Sequence, residues 1–131
     1  MANVFTSQIL MDGNQKVVVH CVGTLDTSDL AATTVLDPAT LQATNPLTTQ
    51  LRIDKITYDV EPTLAVQVLW DATADVVAYQ CTAYGKLDAR KFGGLQNNAG
   101  AGKTGKIQLS TQGWAASGVI QFDVTLECTK Q

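Results

Sequence analysis

Ile120-Gln121-Phe122-Asp123-Val124-Thr125-Leu126-Glu127-Cys128 decides the fold class. Every second residue is apolar, and the residues between are polar or charged. Side chains alternate across a strand, so this pattern predicts one face in a core and one face in water. Leu64, Val66, Val68 and Trp70 repeat the period, with Ala65 and Leu69 among the intervening residues, which predicts a more fully buried strand. Val17-Val18-Val19-His20-Cys21-Val22 is β-branched and nearly continuous, as a central strand would be.

Working outward, Phe5–Met11 is the expected partner of that central strand, joined through the turn Asp12-Gly13-Asn14. Leu51 and Ile53 share one face, whereas Ile56, Tyr58 and Val60 fall on the other. A one-residue slip flips every side chain, so a β-bulge or bend at Asp54-Lys55 would return both sets to the core. Val76–Tyr84, with Val77, Tyr79 and Cys81 in phase, and Lys106–Thr111 supply two more strands. Helix signals are weak, and Asp26–Ala32 offers a cap with no apolar stripe behind it. Leu25–Gln50 reads as a long connection with a short strand near Thr33–Leu36, and Gly93–Gly105 as a second, flexible loop. The expectation is one all-β domain over residues 1–131, an antiparallel β-sandwich. Periodicity leaves jelly-roll and immunoglobulin-like connectivity both open.

Of the 131 residues, 45% are hydrophobic and only 16% charged, well below the usual quarter. That predicts a domain that hides surface in an assembly. The net charge of −3 argues against general nucleic-acid binding. The opening residues predict no secretory leader, and no run reaches the length of a membrane-spanning helix. Cys21, Cys81 and Cys128 fit no zinc module, and each is in phase with apolar strand residues, so buried thiols are expected.

Motifs for chemistry are weak. Gly100-Ala101-Gly102-Lys103-Thr104-Gly105 resembles the end of a phosphate loop, but position 97 is Asn97 where a glycine is required. The following residues alternate as a strand rather than opening a helix. His20, the only histidine, lies inside a strand, and nothing local hints at a base and orienter converging on a nucleophile. Asp26, Asp29, Asp71 and Asp75 would make a calcium site only across neighbouring loops, and solvated turn carboxylates are the better reading. Of Trp70, Tyr79, Tyr84 and Trp114, Trp70 is in phase with the core and Trp114 is expected at the surface. No catalytic, cofactor or metal residue is assigned.

One asymmetry stands out. Lys86–Lys106 carries net +4, and the rest of the chain −7. This predicts a docking surface, with Arg90, Lys91, Phe92, Leu95, Lys103 and Trp114 as its interface residues.

At Arg90-Lys91-Phe92-Gly93-Gly94-Leu95-Gln96-Asn97-Asn98-Ala99-Gly100 and Gly113-Trp114-Ala115-Ala116-Ser117-Gly118, the chain resembles a family of small proteins encoded by tailed bacteriophages. Leu25–Asp29 and Leu69–Ala72 extend the likeness. No activity attaches to these segments, so no functional residue is carried over. Proteins of this size in such phages include capsid cement, or decoration, proteins, several of them sandwiches or jelly rolls that trimerise over capsomer junctions. The resemblance implies a non-enzymatic virion protein on the capsid surface, made in the host cytoplasm. It would be a homo-oligomer, with a trimer favoured, bound to the major capsid protein. No nucleic-acid, membrane or cofactor partner is expected. The alternatives are a carbohydrate- or host-binding module and a head–tail adaptor.

Overall fold

The structure is a computed structural model that describes residues 3–13, 15–26, 28–38, 51–61, 64–97, 99–113 and 120–130. Nine strands lie among them: β1 (Val4–Asp12), β2 (Lys16–Leu25), β3 (Thr33–Leu36), β4 (Leu51–Val60), β5 (Ala65–Trp70), β6 (Val76–Thr82), β7 (Tyr84–Asp88), β8 (Ile107–Gln112) and β9 (Ile120–Lys130). They form a five-stranded sheet, β1-β2-β9-β4-β7, and a four-stranded sheet, β3-β8-β5-β6. Every pairing is antiparallel. No α-helix occurs among the described residues.

The pairs β2–β9, β3–β8, β4–β7 and β5–β6 are nested like the rungs of one long hairpin. The contacts β4–β9 and β5–β8 roll that hairpin into two sheets. This is jelly-roll connectivity, which settles the choice that periodicity leaves open. Strand β1 is an addition, paired among the described residues to β2 alone.

The core follows from the alternation. Val17, Val19 and Cys21 of β2 and Phe122, Val124, Leu126 and Cys128 of β9 all point inward and are buried. They meet Val66, Val68 and Trp70 of β5 and Leu109 of β8 in one apolar cluster. Burying each large apolar side chain contributes roughly 1.5–3 kcal/mol. In β4 the register with β9 shifts between Ile53 and Lys55, so Asp54 is the extra residue of a bulge. Leu51, Ile53, Ile56 and Val60 are all buried as a result. The three cysteines are free and buried. Burial pushes the Cys21 and Cys81 thiols up to about 12, and that of Cys128 upward as well.

The structure departs from the sequence reading in two places. Val76–Tyr84 is not one strand. Ala83 takes a left-handed conformation (φ 57°) that ends β6 and sends the chain to the other sheet as β7. Val77 is exposed, although Tyr79 and Cys81 face inward. The cause is a bulge: the β5–β6 register skips Ala78, which reverses the phase of the residues before it.

The Gly93–Gly105 segment is fastened at several points. Leu95 exchanges two backbone hydrogen bonds with Ile53, of 2.7 and 3.1 Å. Ala99 enters the core. Thr73 donates its N–H to the Ala101 carbonyl, and the Thr104 hydroxyl donates to Asp71 at 2.7 Å. Strand β8 follows directly, so the phosphate-loop likeness has no helix to complete it.

Candidate docking surface

The outer face of the five-stranded sheet is a grid set by register. Its rows, from the β1–β2 hairpin toward the far end, run Lys16–Thr129–Arg52, then Val18–Glu127–Lys55–Asp88. Next come His20–Thr125–Thr57–Lys86 and Val22–Asp123–Asp59–Tyr84. Strand β2 supplies Thr24 and β9 Gln121 at the last row.

At the hairpin end the charges are matched. The buried Asp54 carboxylate accepts from Lys16 Nζ at 2.8 Å, Arg52 Nε at 2.9 Å and the Thr129 hydroxyl. Burial raises its pKa, but these hydrogen bonds outweigh that and hold it below the usual carboxylate value. A hollow of about 180 Å³ beside it is bounded by Met11, Val18, Arg90 and Glu127. Lys130, its ammonium fully buried, donates to Asp12 and, at 2.6 Å, to the Gly13 carbonyl, which closes the hairpin turn.

At the far end they are not matched. Asp59 lies directly across from Asp123. Asp123 shares a 2.7 Å hydrogen bond with His20 Nε2. Asp59 and Glu61 are exposed. With Val22, Phe122 and Tyr84 they line a groove of about 550 Å³, and Tyr84 stands 82% exposed at its wall. Asp26 and Asp29, just after β2, belong to the same end. None of the nine lysines and arginines does: they lie at the level of Lys86 or toward the hairpin. No lysine, arginine, aspartate or glutamate lies outside the described residues. The lysine and arginine side chains are therefore polarised along the strands, away from the end that holds Asp59, Glu61 and Asp123.

The residues expected to form an interface are brought together only in part. Asp88 caps a single 3₁₀ turn, Ala89–Phe92, by accepting from the Arg90 N–H. It also takes a two-pronged grip from the Arg90 guanidinium, 2.9 Å at each prong. Those hydrogen bonds lower the Asp88 carboxyl to about 2. Arg90 is thus engaged locally. Lys91 and Lys103 are exposed, and Phe92 is 63% exposed. Leu95 is half-buried and packs on the core. Trp114 lies outside the described residues.

The other candidates separate as well. Asp71 and Asp75 sit at the hairpin end, opposite Asp26 and Asp29, so the four carboxylates do not share a site. Among the described residues no three His, Cys, Asp or Glu side chains converge as metal ligands would. Trp70 is in the core, and Tyr79 packs against Tyr58 at 6.3 Å. Tyr84 and Phe92 are exposed at opposite ends of β7 and its turn, so they form no joint stacking platform. The acidic groove is absent from the sequence reading. Asp59, Glu61 and Asp123 each look like an ordinary solvent-side carboxylate, and only the β4–β9 register unites them.

No family model matches this chain, and no curated protein does either. Among solved structures, Peruvianin-I, a cysteine peptidase from Thevetia peruviana latex, is similar at 10% identity and a TM-score of 0.32. The match covers 93% of this chain and 60% of that one. A likeness that distant carries no argument about function.

Proposed function

We propose that this chain is a non-enzymatic virion protein of a tailed bacteriophage that binds the outside of the assembled capsid and stabilises it. The observation that carries this reading is strand β1. Among the described residues it pairs with β2 on one side and has no strand on the other. Val4, Ile9, Leu10 and Met11 are all exposed, at 45–55%. No charge or proline interrupts Val4–Met11. Proteins that remain alone guard such an edge with charges, prolines or a covering element. An apolar edge with no charge or proline, interrupted by one bulge at Leu10, fits a chain that meets other protein surfaces, here the major capsid protein.

A protein that binds only the assembled lattice stabilises it by mass action. Symmetric oligomers, with a trimer favoured, would bridge several capsid subunits and multiply a weak contact. The test is to add the purified protein to heads that lack it and count bound copies. Hundreds of copies and a higher head-disruption temperature are expected. An Ile9→Lys/Leu10→Lys variant should keep the wild-type circular dichroism and lose occupancy. A single ring of copies would mean an adaptor, and no binding to heads would overturn the reading.

A further inference from the structure

We infer that copies of this chain associate head to tail, with the acidic end of one receiving the lysine-bearing Lys86–Lys106 segment of the next. The inference rests on the assembly reading above and names the surfaces that would join copies.

Three observations point the same way. The first is the groove beside Tyr84, where Asp59 and Asp123 face each other and Glu61 closes the rim. Like charges directly opposite in a sheet repel, and a bound cation removes the repulsion. Among the described residues only His20 contacts this set.

The second is where the cations are. Lys91 and Lys103 are exposed at the hairpin end, and neither forms an ion pair among the described residues. Lys106 leads into β8 at that same end. The two charged surfaces are thus at opposite ends of one sandwich. They cannot meet within a copy, but they can meet between copies.

The third is chemical fit. A lysine arm carries an apolar stem and a cationic head. The groove offers apolar Val22, Val60 and Phe122 beside carboxylates. The exposed ring of Tyr84 suits a cation above its face. A contact between two different patches is heterologous, and such contacts close into rings when the rotation allows. A three-membered ring is the closed form that agrees with the favoured trimer.

The test uses two full-length variants. Asp59→Lys/Glu61→Lys reverses the charge of two of the three groove carboxylates, and Lys91→Glu/Lys103→Glu reverses the exposed lysines at the hairpin end. All four positions are exposed, so folding should hold, as checked by circular dichroism and thermal melting. Native mass spectrometry and sedimentation of wild type should give an oligomer that weakens with salt. Each variant alone should associate at least about tenfold more weakly. Mixed in equal amounts they should form mixed pairs, because the groove of one variant and the lysines of the other remain intact, whereas a three-membered ring of two kinds always leaves one junction between like copies. Tyr84→Ala should weaken wild-type association without changing its charge. Variants that stay fully oligomeric alone, or a mixture that forms no mixed pairs, would overturn the inference. So would a wild type that is monomeric at all salt concentrations. If such a monomer still filled heads, the capsid reading would stand while the head-to-tail contact failed.

Discussion

Asp59 on β4 lies directly opposite Asp123 on β9, and the nearest group bonded to the pair is His20, on Asp123 alone. A sheet selected only for stability would not keep this arrangement. Replacing Asp59 with Asn removes the repulsion and keeps the size of the side chain. We expect a gain of about 0.2–1 kcal/mol in stability from denaturant melts, together with weaker self-association. A stability loss would mean that the carboxylate is held by the fold itself.

Gly23 faces Phe122 across the β2–β9 ladder on the inner side. A Cβ on Gly23 would lie 2.2 Å from the Phe122 ring, which is buried and packs against Phe5 at 6.1 Å. The ring has little room to yield. Gly23→Ala should destabilise by about 1–3 kcal/mol. Gly23→Ala/Phe122→Leu should recover part of that loss. Equal melting of wild type and Gly23→Ala would contradict the close approach.

The Asp54 bulge was legible because its two apolar sets are out of phase, and only one extra residue reconciles them. The core faces of β2, β5 and β9 were legible for the same reason. What the chain did not announce is anything set by long-range register. The opposition of Asp59 and Asp123 needs β4 and β9 paired in one register across more than sixty residues of chain. The exposure of β1 depends on the other sheet ending short of it. The break at Ala83 was hidden because alanine is an unusual residue for a left-handed turn, and nothing in Val76–Tyr84 marks it.

Asp54 also gives a pH dependence. Its carboxyl is held below its ordinary value, so the unfolded chain takes up this proton at a higher pH than the folded one. Its contribution is complete above the unfolded carboxylate pKa of roughly 4 and is lost as pH falls through the lower folded value. At neutral pH, Asp54→Asn should cost about 1.5–3 kcal/mol, the usual range for hydrogen bonds to a charged group. The gap between wild type and variant should narrow as the melts are moved below pH 4. A constant gap would show that packing, not charge, holds the bulge.

Cys21 and Cys81, with thiols pushed up to about 12, are poor nucleophiles in the native fold. Labelling with a thiol reagent at pH 8 should be slow for these two and for the buried Cys128, and fast in denaturant. The native rate should track opening of the sandwich. Rapid native labelling of all three would contradict their burial.

Arg90 and Lys91 are neighbours in sequence but should behave differently. The Arg90 guanidinium is already gripped by Asp88, which also caps the turn that carries both residues. Arg90→Glu would set a second carboxylate against Asp88 and disturb that turn, so a lower melting temperature is expected. Lys91 has an exposed side chain and no ion-pair partner among the described residues. Lys91→Glu should leave stability within about 0.5 kcal/mol of wild type, as surface changes usually do. It should nonetheless weaken association, most of all at low salt, because unscreened charge dominates there. The comparison is made by sedimentation of both single variants across a salt series, with melts beside each. Equal loss of association in both variants with unchanged melting would show that Arg90 reaches a partner despite Asp88. Unchanged mass and head occupancy in Lys91→Glu would remove the lysine arm from the contact.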